Sequence, residues 1–381
     1  MINILFAYNG IPQNGGTEAV MMNYYRRIDR DRFSVNFLFH GSQEQCSGNP
    51  FCEQVLSTGG RIFFVTPRGE DFMRNRREVA QIFAENRYDI VHCHMDSAAS
   101  FVLKLAKKAG VPVRAAHSHS TGDHFIMKST ELANTVYRVI LAHARRQTAR
   151  EANLRFACSD AAGKWLYGSR PFTVINNGVD CEHFAFSEEK RRRIRDELGL
   201  SDKLVIGHVG RLSRVKNQNK LLDVFAAVHK ERPDSALVMV GSGEDHDPIS
   251  ERVKSEFPDR SVILTGARSD SDCLLSAFDV FVMPSLYEGL SVAAVEAQAA
   301  GLPCVLSDTV TKQVKLTENV CFLPLDASGE TWSREVLRMS ALERKYTRED
   351  IRAAGFDSEQ VVRELEKAYE SALAQAERSA R

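Results

Sequence analysis

Residues 281–307 read FVMPSLYEGLSVAAVEAQAAGLPCVLS, and the rest of the chain is organised around this stretch. Phe281-Val282-Met283 is a short apolar run suited to a buried parallel strand. Pro284 to Leu290 is a loop containing Gly289. Ser291 is placed to cap a helix running from about Val292 to Ala300. Gly301 supplies its C-terminal stop, and Pro303 prevents continuation. Cys304-Val305-Leu306 then reads as the next strand. Strand, loop, helix and strand in this order are one turn of a parallel α/β sheet.

Two carboxylates flank the helix start, Glu288 before it and Glu296 within it. A helix N-terminus presents unpaired N–H groups and the positive end of the helix dipole, which suits a phosphate. The amides of Gly289, Leu290 and Ser291 are therefore candidates for a diphosphate. The two glutamates are candidates for hydroxyl groups on either side of it. The plain alternative is an amphipathic helix with two solvated glutamates. Cap, glycines and flanking strands together are more specific than the pair of glutamates.

The string 284–305, PSLYEGLSVAAVEAQAAGLPCV, resembles the signature of the retaining glycosyltransferases of family GT4, which have the GT-B fold. It is most similar to bacterial enzymes of exopolysaccharide and capsule synthesis. The family usually has proline at position 291, where a serine cap serves the same turn. The resemblance implies two Rossmann-like domains with a cleft between them. Residues 1–180 would form an acceptor domain and 186–355 a donor domain for the nucleotide sugar. The last helix, about 358–381, would cross back onto the first domain.

The 381 residues suit two domains, and 43% hydrophobic content allows a sizeable core. Equal numbers of basic and acidic residues, 50 each, argue against a general nucleic-acid binder. That balance hides an asymmetry. Residues 1–180 carry 22 Lys and Arg against 16 Asp and Glu, and the remainder carries 28 against 34. A basic first half suits an anionic membrane surface or a pyrophosphate-bearing acceptor, with scattered solvated charge as the equal alternative. The eight cysteines form no C-x-x-C pair. Cys93, Cys158 and Cys304 sit in apolar runs, so buried thiols and a reducing cytoplasm are expected rather than a disulfide framework. MINILFAYN reads as a first strand rather than a signal peptide, and no apolar stretch reaches the ~20 residues of a membrane span.

In the first half, strands near 3–7, 35–39, 61–65, 90–94, 113–117, 154–158 and 172–175 alternate with helical patterns. The loop 9–16 ends in Gly15-Gly16, with Thr17 placed to cap a helix over 18–28. The resemblance makes Gly15 and Gly16 candidates to border donor phosphate or acceptor. Two His-x-His pairs, His92/His94 and His117/His119, fall at strand ends. His-x-His in a strand puts both rings on one face. Without a matching carboxylate or cysteine set, polar packing is the simpler expectation than a metal. The resemblance implies that one histidine after the fifth strand contacts the transferred sugar. His117 is preferred because it ends the apolar run, with His119 as the alternative. The helical region 123–150 is expected to bury a face containing Val136, Val139, Ile140 and Leu141. Its basic residues suit solvent first and a membrane surface second. Asp29-Arg30-Asp31 is formally D-x-D but reads as a solvated turn.

In the second half, the helix 188–198 carries Lys190 to Arg193, a solvated face or, second, a contact with anionic lipid. The strand 204–209 leads into Gly210-Arg211-Leu212-Ser213-Arg214-Val215-Lys216. Arg211 and Lys216 flank a strand-to-helix loop and suit a leaving diphosphate. Their match to the family's Gly-Arg…Lys segment strengthens that assignment. Further strands are expected over 236–240 and 262–265. The resemblance puts the nucleobase near 266–268, with Arg268 as a candidate contact.

The family also implies transfer of a sugar, with retention, from a nucleotide-diphosphate donor to a saccharide or lipid-linked saccharide acceptor at the inner face of a bacterial membrane. Uridine diphosphate is the first choice of carrier and guanosine diphosphate the second. No metal is needed where cations and a helix terminus hold the diphosphate, and no protein nucleophile is required. A GT-B nucleotide-sugar epimerase and a silent sugar-nucleotide-binding partner are the competing readings.

Overall fold

The computed structural model describes residues 1–12, 15–120 and 131–380. The part of the expected 123–150 helix before residue 131 lies outside them. The chain divides into two units, residues 1–176 with 361–381, and residues 177–360. No helix among the described residues is long and apolar enough to cross a membrane.

The first unit holds β1 (Ile2–Tyr8), β2 (Phe33–His40), β3 (Ile62–Val65), β4 (Ile90–His94), β5 (Val113–Ser118), β6 (Leu154–Ala157) and β7 (Thr173–Val174). They form one sheet in the order β3-β2-β1-β4-β5-β6-β7, with every pair parallel. Ile4, Leu5, Phe6 and Ala7 of β1 are fully buried, because helices cover both faces of a parallel sheet. The helix Ser358–Ala380 returns to this unit. Its Tyr369 is fully buried, and its hydroxyl meets His92 Nδ1 at 2.6 Å. Its Glu366 accepts the backbone N–H of Asp29 at 2.8 Å, so the formal D-x-D triplet is structural turn.

The second unit holds β8 (Leu204–Val209), β9 (Ser235–Val240), β10 (Val262–Gly266), β11 (Val280–Met283), β12 (Cys304–Ser307) and β13 (Val320–Leu323). Their order is β10-β9-β8-β11-β12-β13, again all parallel. Residues 308–357, where no element was expected, supply β13 and the helices Gly329–Ser340 and Arg348–Ala353. Trp332 of the first of these helices is fully buried, with its ring N–H donated to the Pro324 carbonyl at 3.1 Å.

Several expectations need correction. The helix after β1 spans Gly16–Arg27, so Thr17 lies inside it and Gly15 takes the cap position with no side-chain bond. Cys46 and Cys52 are joined in a disulfide, with Cα atoms 6.0 Å apart. The helix Pro50–Ser57 turns the chain back and brings them together, which spacing alone does not reveal. Cys93, Cys158 and Cys304 are buried free thiols as expected. On the helix Glu131–Glu151, Val136, Val139 and Ile140 are 52%, 66% and 60% exposed, and only Leu141 is half-buried. The inward face belongs instead to small residues of the last turns. There Thr148 donates its hydroxyl to Ser97 O at 2.9 Å, and Ala149 is buried.

Candidate active site

In the second unit β8 has β9 on one side and β11 on the other. The chain runs from β8 outward through β9 and β10, then crosses to β11. The carboxyl ends of β8 and β11 therefore frame the point where strand order reverses, which is where open parallel sheets bind ligands. Lys216, in the loop after β8, and Glu288, in the loop after β11, meet there as an ion pair between Nζ and Oε2. Both side chains are 18% exposed.

Backbone bonds hold the two loops in register. The Leu286 N–H donates to Val215 O at 2.8 Å, and Asn217 Nδ2 donates to Pro284 O at 3.1 Å. Asn217 has φ of 55°, a left-handed conformation that asparagine tolerates better than most residues. Sequence reading passed over Asn217; its signal is an asparagine directly before a helix start. The loops after β8 and β9 also pack backbone to backbone. A Cβ added at Gly241, whose φ is 139°, would run into the Gly210 carbonyl, and one at Gly243 into the Leu212 carbonyl.

The helix Val292–Ala299 begins at Ser291, whose hydroxyl accepts the Ala294 N–H at 3.4 Å. Such a cap contributes about 1 kcal/mol. Among the described residues the N–H groups of Gly289, Leu290 and Ser291 donate no hydrogen bond. A Cβ at Gly289 would face open space. The leading edge of this helix therefore offers free donors beside the Lys216–Glu288 pair, as an anion site requires.

Glu296 lies further along the same helix. Its half-buried carboxyl is pushed up to about 8, first by burial and second by the charge of Asp272 on the helix Ser271–Ala277. Asp272 itself holds Lys190 Nζ at 2.8 Å, so Lys190 is engaged with a carboxylate. Arg211 is the most open of the candidate cations, with a side chain 71% exposed and Nε 2.9 Å from Glu244. Glu244 is a second residue that sequence reading missed as a partner. Arg268 is not open in the same way. Its guanidinium is held by Asp270 at 2.7 and 2.8 Å and by Glu197. The Arg268 side chain is thus committed to two carboxylates within the protein.

In the first unit the four histidines form a stacked array at the carboxyl ends of β4 and β5. The ring planes of His92 and His117 differ by 9°, and those of His117 and His119 by 16°. His117 Nδ1 lies 3.3 Å from His92 Nε2, and His94 Nδ1 lies 2.9 Å from His119 Nε2. Burial lowers all four well below the usual imidazole range, His119 to about 3, so the array is neutral. Nitrogens of His92, His94 and His117 come within 4.8 Å of one another. Contacts between ring nitrogens join these imidazoles in two pairs, as polar packing of neutral rings does.

His117 and His119, the two candidates for the sugar contact, differ in this geometry. β5 runs on to Ser118, His117 has no exposed surface, and only His119 is half-exposed. Asp96, also missed, fixes the loop that carries His119. It accepts the His119 N–H at 2.7 Å and the Ser120 hydroxyl at 3.0 Å, from a left-handed backbone with φ of 45°.

Gly15 and Gly16 also receive a different explanation. Gly16 begins the helix, and a Cβ at Gly15 would strike the Glu18 carboxylate, which accepts the Tyr8 hydroxyl at 2.8 Å. A groove of about 560 Å³, lined in part by Arg191, Arg195, Lys203 and Arg232, opens at the amino ends of β8 and β11. Its two innermost arginines are paired with Asp279 at 2.6 and 2.7 Å. It lies at the wrong end of the sheet to serve the Lys216–Glu288 loops.

Comparison with known proteins agrees with this architecture. Residues 190–338 match the family of glycosyl transferases group 1, and residues 14–183 match Glycosyltransferase Family 4. The putative glycosyltransferase EpsF of Bacillus subtilis is 33% identical over 96% of both chains. An Escherichia coli UDP-Gal:alpha-D-GlcNAc-diphosphoundecaprenol alpha-1,3-galactosyltransferase is 28% identical over 78% of this chain and 77% of its own. The Anabaena protein Alr3699/HepE, crystallised with UDP-glucose, superposes with a TM-score of 0.76 at 20% identity, covering 97% of this chain and all of that one. Sucrose-phosphate synthase from Thermosynechococcus elongatus gives 0.70 at 18% identity, covering 98% of this chain and all of its own. Two parallel sheets, a switch-point ion pair beside a capped helix and a family match on each half lead to one conclusion: this chain belongs to the GT4-type glycosyltransferases of the GT-B fold.

Proposed function

We propose that the protein is a retaining glycosyltransferase of cell-surface polysaccharide synthesis. It would take a sugar from a UDP-sugar and place it on a saccharide or lipid-linked saccharide at the cytoplasmic face of a membrane. The observation that carries this reading is the Lys216–Glu288 pair set beside unpaired helix amides at the switch point. The names of two similar proteins support the choice of ligands. One is crystallised with UDP-glucose, and the other is named for UDP-galactose and a diphosphoundecaprenol-linked saccharide.

The pair suggests how the donor is received. A diphosphate arriving at the amides of Gly289, Leu290 and Ser291 competes with Glu288 for Lys216. Lys216 turns to the phosphates, and Glu288 is released to accept a hydroxyl of the sugar. Arg211, exposed and held at its Nε by Glu244, adds a second cation to the leaving group. Fixed positive groups aimed at charge that develops in the transition state are commonly the largest catalytic term. The leaving phosphate can take the acceptor's proton, so no side-chain nucleophile and no resident metal is required. Glu296, once ionised, is the candidate for the ribose hydroxyls.

A thermal-shift screen of nucleotide sugars identifies the donor, because a ligand that binds only the folded state raises the melting temperature. Transfer is then measured with that donor and lipid-linked acceptors. Transfer unchanged by Lys216→Ala with Glu288→Gln would refute the assignment. Conversion of the donor sugar without any acceptor would favour an epimerase instead.

A further inference from the structure

The helix Glu131–Glu151 carries a stripe that no described residue covers. At 3.6 residues per turn, Val136, Val139, Ile140, His143, Arg146 and Arg150 fall within an arc of about 120°. All six are exposed. The opposite side of the same helix turns Thr148 and Ala149 inward. Read from its amino end, the stripe is aliphatic for the first turns and basic for the last.

Its surroundings are predominantly basic, although Glu151 at the end of the helix pairs with Lys107 at 3.7 Å. Residues 101–150 contain nine Lys and Arg against two Asp and Glu, more excess positive charge than residues 1–180 hold as a whole. The neighbouring helix Ser100–Lys108 packs against this one and exposes Lys104, Lys107 and Lys108. Three exposed branched aliphatic side chains have no reason to share one face of a solvated helix. An anionic lipid surface satisfies both parts. The aliphatic groups enter the boundary between head groups and acyl chains, and the guanidinium groups meet lipid phosphates.

We propose that this stripe docks the first unit on an anionic membrane surface. Net positive charge favours lipid over a second copy of the chain, which would bring like charges together. The inference deepens the reading of a lipid-linked acceptor, yet it is measured without donor, acceptor or catalysis. Failure of one therefore leaves the other standing.

The full chain is sedimented with vesicles of phosphatidylglycerol mixed equally with phosphatidylcholine, and with phosphatidylcholine alone, at low and high salt. Val139→Glu with Ile140→Glu, and Arg146→Glu with Arg150→Glu, are compared with the parent. All four positions are exposed, so unchanged melting shows that the variants fold. The parent should bind the anionic vesicles in a salt-sensitive manner and ignore the neutral ones. Each double variant should lose about tenfold or more in binding. A parent that leaves anionic vesicles unbound would overturn the proposal. So would a Val139/Ile140 variant that binds as the parent does, or a parent dimer that these variants make monomeric.

Discussion

Lys216→Ala, Glu288→Ala and the double substitution test the switch-point pair against the helix beside it. Both side chains are 18% exposed, so removing one partner strands a charge in a poorly solvated place. For fully buried pairs that loss is about 3–5 kcal/mol. Residual solvent access here lowers the expectation to about 2 kcal/mol. The two singles should differ. Glu288 left alone still faces the positive end of the helix Val292–Ala299, which offsets about 0.3–1 kcal/mol. Lys216 left alone faces that same end and is repelled by it. Glu288→Ala is therefore expected to destabilise more than Lys216→Ala. The double substitution, which removes both charges, should be more stable than Glu288→Ala alone. For a unit of this size about 1 kcal/mol moves the melting temperature by about 2–4 °C, so differential scanning calorimetry resolves the order. In transfer assays each single should lose about 10²–10³ in kcat, as expected for deleting one preorganised charge. A double substitution whose destabilisation equals the sum of the singles, within about 0.5 kcal/mol, would show that the residues are uncoupled and defeat the reasoning.

Further outcomes follow from the same structure. Gly241→Ala and Gly243→Ala push a methyl group into the carbonyls of Gly210 and Leu212. Each should lower stability by about 1–3 kcal/mol in urea titrations. Gly289→Ala meets nothing within 4 Å, so stability should hold while donor affinity, read by calorimetry, falls. Glu296, raised to about 8 when folded from an ordinary value of 4.5, keeps a proton that the unfolded chain has released. Stability should accordingly fall as pH rises through that window and level off above it. The full shift would correspond to about 5 kcal/mol, which solvent at the half-buried carboxyl reduces to roughly 1–3 kcal/mol. Glu296→Gln should abolish the decline in pH-dependent melting, and an unchanged slope would assign it to another group. The Cys46–Cys52 bond closes a short loop, so reductant should cost about 2 kcal/mol in the parent and nothing in Cys46→Ser with Cys52→Ser. An intact-protein mass that does not rise on reduction would rule the bond out.

The alternation of apolar runs with capped helices fixed the two parallel sheets, because strand and helix periodicity are local properties of the chain. Ser291 as cap and the strands on either side of its helix were legible for that reason. Glu288 and Lys216 were each visible as candidates in their own loops. Their pairing was not, since the two residues are 72 apart in sequence and meet because β8 lies next to β11. Which histidine reaches the surface was equally hidden. His117 and His119 lie two residues apart and share a face, and only the end of β5 and the grip of Asp96 separate them. Side-chain partners decided the remaining cases: Glu18 claims Gly15, Glu197 and Asp270 claim Arg268, and Thr148 rather than Val139 turns inward. Local pattern reports what a segment will form. Where each side chain points is settled only when distant segments compete for the same space and the same charge.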